Sequence, residues 1–209
     1  MIFGETGTGK ELVAQSLYTC GNRKNKKFVS QNCAAIPSTL LESILFGTVK
    51  GSFTGSLSRP GLFEIANGGV LFLDEINSME LSIQPKILKA IEEKKITRVG
   101  GEEPIDIDVK IISAINEDPI KCIKENKLRE DLFYRLSVVQ LNIPPLRERF
   151  DDLNYLIKYF INAFNKQMNK NIIDVVKRWR KYSKTTNGRE MSGNLKILSK
   201  VHLIWLHQS

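Results

Sequence analysis

The chain has 209 residues, 42% hydrophobic and 26% charged, an ordinary globular composition that excludes a fibrous or disordered chain. The net charge of +8 is concentrated: residues 176–209 hold eight Lys or Arg and one Glu, leaving +1 for residues 1–175. That uneven placement argues against reading the whole chain as a nucleic-acid binder. The longest apolar run near the end, Val201 to Leu206, is far too short for a membrane span, and no charged leader precedes an apolar stretch at the start. Cys20, Cys33 and Cys122 lack metal-ligand spacing and read as reduced cytosolic thiols.

In chain order, Gly4-Glu5-Thr6-Gly7-Thr8-Gly9-Lys10-Glu11 has the glycines and lysine of a phosphate-binding loop, with Glu11 where Ser or Thr is usual. Glycines let successive backbone N–H groups turn inward on an anion, and Lys10 adds a cation at the β- and γ-phosphates. A strand-like pair, Phe28–Val29, follows. Thr39 and Glu42 have capping-box spacing ahead of an apolar run ending at Phe46. From Gly47 to Gly61 small and polar residues mark a loop or insertion. Gly68 to Glu75 is an apolar run ending in two carboxylates, with Val70–Leu73 the strand. Carboxylates at the end of a buried strand are costly unless they meet a metal or a partner. With the lysine loop they form a Walker B arrangement: Asp74 to hold Mg²⁺ and Glu75 to polarise the attacking water.

Ile83, Ile87, Ala90 and Ile91 fall on one helix face. Val109–Ala114 and Val138–Ile143 read as further strands, and Pro144–Pro145 ends the sheet portion. Leu153, Leu156, Ile157, Phe160, Ile161 and Phe164 make a stronger helical stripe, with Asp151 as its expected N-cap. Strands alternating with amphipathic helices predict an α/β sheet. No cysteine pair, Gly-rich dinucleotide turn or histidine–carboxylate set offers a redox site, since His202 and His207 both lie in the basic tail.

The segment Lys50-Gly51-Ser52-Phe53-Thr54-Gly55-Ser56 resembles the GAFTGA signature of bacterial enhancer-binding proteins, the AAA+ ATPases that activate sigma-54 RNA polymerase. The likeness extends over Asn32–Ala35, Arg59–Glu64, Arg98–Gly101, Leu128–Arg135 and Pro144–Arg149. The wording around Gly47–Gly55 looks most like activators of arginine or amino-acid catabolism. The resemblance implies a P-loop AAA+ parallel sheet flanked by helices over residues 1–165, its first strand truncated, and a helical lid remnant over 166–209. It implies ATP and Mg²⁺ as cofactors, sigma-54 polymerase as partner, a homo-oligomeric ring and a cytoplasmic protein, with no DNA-binding domain in this chain. Asn32 looks like the switch residue that pairs with Glu75, Asn116 like sensor I, and Arg129 and Arg135 like arginine fingers for a neighbouring subunit's nucleotide. Gly51–Ser56 would be the partner loop with Phe53 at its tip, and Ser52 and Ser56 replace the family's alanines. Two other readings stand beside this one: an inactive nucleotide-binding remnant, and an AAA+ ATPase with another client.

The family's lid carries WPGNVREL. Here residues 187–202 differ, yet codons compatible with them, read one base earlier, encode WPGNVRELKNIIEGA. This predicts a frameshift between about Ile172 and Thr186, which nucleotide sequencing of that stretch checks.

Overall fold

The computed structural model describes residues 1–52, 57–169 and 171, and the chain separates into two compact units. The first comprises residues 1–3 and 10–142, the second residues 4–9 and 143 onward.

The first unit is built on a parallel sheet. Its strands are β1 (Ile2–Phe3), β2 (Phe28–Asn32), β5 (Val70–Asp74), β8 (Lys110–Ile115) and β9 (Leu141–Asn142), in the order β2-β5-β8-β1-β9. All four neighbouring pairs are parallel. Four consecutive apolar residues, Val70 to Leu73, are buried in β5, as expected for a strand covered on both faces. Burying Leu71, Phe72 and Leu73 completely stabilises the fold by about 1.5–3 kcal/mol per side chain.

Around the sheet run α1 (Lys10–Thr19), α2 (Ser38–Phe46), α3 (Leu62–Ile65), α4 (Gln84–Glu93), α5 (Pro119–Lys124) and α6 (Glu130–Leu136). Helix α4 packs Ile87 and Ala90 into the core beside Ile83, as the periodicity predicts. Two antiparallel ribbons complete the unit: β3 (Gly47–Thr48) with β4 (Arg59–Pro60), and β6 (Lys95–Thr97) with β7 (Pro104–Asp106).

Several expectations are corrected. Helix α2 begins after Pro37, whose carbonyl accepts from Leu40 and Leu41, and no side chain caps it. Glu42 instead meets Lys86, so the capping box of Thr39 and Glu42 does not form. The strand expected over 138–143 shrinks to Leu141–Asn142, with Val138 85% and Val139 67% exposed.

The described part of the second unit holds the loop Gly4–Gly9, a 3₁₀ turn at Leu146–Glu148 and α7 (Asp152–Met168). Leu153, Ile157 and Ile161 form a small core with Leu146, flanked by Leu156 and Phe160. Asp151 already has helical torsions and makes no side-chain cap, so the predicted N-cap role is not fulfilled. The proposed frameshift after about residue 172 lies outside the described residues. Among the described residues no helix is long and apolar enough to cross a membrane.

Candidate functional site

The parallel register places the polar candidates at the carboxyl ends of three adjacent strands. Asn32 of β2 lies opposite Asp74 of β5, and Asn116 follows directly after β8. In open α/β sheets ligands bind outside this strand end. Cys33, one residue past β2, donates its amide to the Asp74 carbonyl and continues the pairing.

Asp74 and Glu75 are both half-buried, and the Asp74 Oδ1 accepts the Glu75 amide at 3.0 Å. Glu75 has left-handed torsions, φ 52° and ψ 48°. A non-glycine residue held there stores strain of about 1–3 kcal/mol, a feature that concentrates at functional sites. Lys10 begins α1 and is buried. Burial lowers its pKa, while the charges of Asp74 and Glu75 oppose the shift and favour the ammonium form. Cys33 senses the same carboxylates: burial first, then Asp74 and Glu75, push its thiol up to about 12. Alkylation at pH 8 is therefore expected to label exposed Cys20 and spare Cys33 and Cys122, as peptide mass spectrometry would show.

Asn32 is fixed by its own turn. Its Oδ1 accepts from Ala34 N at 2.9 Å and Ala35 N at 3.2 Å, leaving Nδ2 as the donor available to a carboxylate. Asn116 Oδ1 accepts from Asn77 Nδ2 at 2.9 Å, and the same nitrogen lies 3.4 Å from Glu117. Glu117 in turn pairs with Lys127 at 3.1 Å. Neither Asn77 nor Lys127 carries a motif of its own, so the sequence alone does not single them out. Arg129 and Arg135 are exposed on or beside α6. The Arg129 guanidinium makes two bonds to Asp131, Nε to Oδ1 at 3.0 Å and Nη2 to Oδ2 at 2.7 Å, which hold the Asp131 carboxyl below its usual range.

The second unit shows how the Gly4–Gly9 loop is shaped. Gly7 (φ 84°) and Gly9 (φ 94°) adopt torsions that favour glycine. A Cβ on Gly4 would lie 2.5 Å from the Ile143 carbonyl oxygen. Thr8 closes a turn by donating Oγ1 to the Glu5 carbonyl at 2.8 Å. Glu5 receives two bonds from Arg147, and Arg149 donates to the Thr8 carbonyl at 2.6 Å. The Glu5 carboxylate thus braces the loop, while Thr6 and Gly7 are exposed. Glu11 is exposed one residue into α1.

The stem of the loop that includes Gly51 and Ser52 is braced too. Thr48 Oγ1 donates to the Leu57 carbonyl at 2.6 Å, and Val49 and Val99 are joined through Val49 N to Val99 O at 3.2 Å. Gly51 is exposed and half-buried Ser52 sits under Gly100, where a Cβ would lie 2.4 Å from that of Ser52. Phe53, Thr54, Gly55 and Ser56 lie outside the described residues. Arg98 grips both oxygens of Glu64, at 2.9 and 2.6 Å, and reaches Ser58 at 3.1 Å. That clamp holds the Glu64 carboxyl below its ordinary 4.5. Its stabilisation is therefore complete above that value and disappears as pH falls through the lower folded value. E64Q is expected to melt below wild type at pH 7, with the difference shrinking as the pH drops below 4.5, readable by thermal denaturation.

The Sigma-54 interaction domain profile matches residues 1–142. Transcriptional activator RocR of Bacillus subtilis (strain 168) is 55% identical over 182 residues, covering 86% of this chain and 40% of RocR. The crystal structure of NtrX from Brucella abortus superposes with a TM-score of 0.85 at 34% identity, over 96% of this chain and 46% of that one. NtrX in complex with ATP gives 0.84 at 33% identity, over 95% and 47%. The chain spans less than half the length of these relatives.

Proposed function

The chain belongs to the Sigma-54 interaction domain family, and from that premise we propose that it is an ATP-hydrolysing module that remodels sigma-54 RNA polymerase to activate transcription. The observation that carries the reading is the joint placement of buried Lys10, the Asp74–Glu75 pair and Asn116 about the carboxyl ends of β5 and β8. The NtrX complex with ATP is of the same fold and supports a triphosphate as ligand.

In this reading the amides of the Gly4–Gly9 loop and the Lys10 ammonium bind the β- and γ-phosphates. Asp74 suits a magnesium ion, which takes one or two carboxylates and fills its other positions with phosphate oxygens and water. When bound, the ion neutralises charge developing on the phosphates.

Glu75 orients the attacking water and accepts its proton as oxygen bonds to the γ-phosphorus and the bond to ADP breaks. Asn116 donates to the γ-phosphate, its oxygen already held by Asn77. Asn32 Nδ2 pairs with Glu75 until the nucleotide is correctly seated. Arg129 and Arg135 reach the nucleotide of the next subunit in a ring, where a guanidinium stabilises charge on the transferring phosphoryl group. The loop Gly51–Ser56 contacts sigma-54, and Arg98, bonded to both Ser58 and Glu64, braces the segment that follows it.

Steady-state ATP hydrolysis by the purified chain, with and without sigma-54, tests the proposal. Turnover abolished by K10A and capture of sigma-54 that weakens with F53A are expected. Turnover indifferent to K10A would contradict it.

A further inference from the structure

Gln84 opens α4 on the stripe that also carries Ile87, Leu88 and Ile91, and it is completely buried. A carboxamide in such a place destabilises the fold unless each of its polar atoms is bonded. All of them are. Its Nε2 donates to the Met79 carbonyl at 3.0 Å and the Lys127 carbonyl at 2.9 Å, and its Oε1 accepts the Arg129 amide at 2.8 Å.

These partners belong to two segments of functional interest. Met79 ends the 3₁₀ turn that follows Glu75, and Lys127 and Arg129 flank Leu128 at the entrance to α6. Arg129 has extended torsions, φ −71° and ψ 138°, so its amide precedes the helix and has no helical acceptor. Packing alone would be met by methionine, which has nearly the same shape and no polar groups to satisfy. What the carboxamide adds is a three-point fastening of main chain. One end is a few residues from the Asp74 and Glu75 carboxylates, and the other is the amide of Arg129 itself.

We propose that Gln84 is the positioning residue for Arg129, fixing the backbone that presents the guanidinium to the neighbouring subunit's nucleotide. The inference rests on the proposed function, in which Arg129 acts across a subunit boundary. Gln84 touches no nucleotide, so its loss leaves binding intact and slows the chemical step. Misplacement of a catalytic group by about 1 Å costs on the order of 100-fold in rate. Q84M is expected to lower kcat for ATP by about that factor, with KM and ADP affinity within about twofold of wild type.

Mixed assemblies test the trans assignment. Q84M chains are combined with E75Q chains, and R129A chains with E75Q chains as the parallel case, each mixture being compared with its separate components. Where an intact Glu75 on one chain meets an intact Gln84–Arg129 pair on the other, turnover is restored. Both mixtures are therefore expected to exceed the sum of their components several-fold. Restoration with R129A but not with Q84M would overturn the inference and leave the proposed function standing. Restoration in neither would overturn the trans reading and the inference with it. If Q84M does not retain ADP binding and the wild-type circular dichroism spectrum, Q84N replaces it, because its shorter stem keeps a buried carboxamide that cannot reach all three partners.

Discussion

R129A is expected to lower ATP turnover by about 10³- to 10⁵-fold, the range for an arginine supplied to a transferring phosphoryl group. Nucleotide affinity should stay near wild type. The side chain is available for that work: both Arg129 and Asp131 are exposed, at 42% and 44%. Ion pairs in that setting contribute only about 0–1 kcal/mol. Exchanging Asp131 for a phosphate therefore costs little. D131N should accordingly leave turnover within about threefold of wild type, because an exposed partner is easily replaced by water. R135A, six residues further on, is measured alongside. Turnover as a function of protein concentration reads all three variants, since an arginine acting in trans makes the specific rate rise with assembly. A loss of nucleotide affinity in R129A equal to the loss of rate would show that the residue binds nucleotide and does not serve the chemical step.

E75Q should reduce turnover by about 10²- to 10⁴-fold, the usual contribution of a general base. Glutamine preserves the side-chain length and the left-handed backbone at this position but cannot accept the proton of water. Nucleotide binding is expected to survive, because the charges next to Lys10 include Asp74 as well as Glu75. K10A differs in kind: it removes the buried cation and with it the binding. Comparing ATP retention by E75Q and K10A on a spin column separates the two effects. An E75Q chain that turns over ATP at the wild-type rate would remove Glu75 from the chemistry.

The sequence foretold the centre of this fold better than its margins. Val70 to Leu73 could only be a buried strand, because four apolar residues ending in Asp-Glu leave no solvent face, and β5 lies inside the sheet. The α4 stripe was equally plain. Margins failed where a local pattern met a competing constraint. Pro37 set the start of α2 and left Glu42 to find Lys86. Val138 and Val139 have the β-branched character of a strand, yet the pairing with β1 begins only at Leu141.

The supporting residues of the site were hidden for a different reason. Arg147 lies 142 residues from Glu5 in the chain, and no short motif reports a partner at that separation. Gln84 did leave a trace: it is a polar residue on an apolar stripe, which implies a buried and fully bonded side chain. Asn77 left none, since its value depends on Asn116 folding against it.

Equilibrium dialysis of ATP against the chain in excess magnesium tests the central claim most directly, because it asks for binding without asking for assembly, turnover or a partner. Saturable uptake of one nucleotide per chain, lost in K10A and kept in E75Q and R129A, is the predicted result. No uptake by the folded wild-type chain, or uptake that K10A leaves unchanged, would contradict the account.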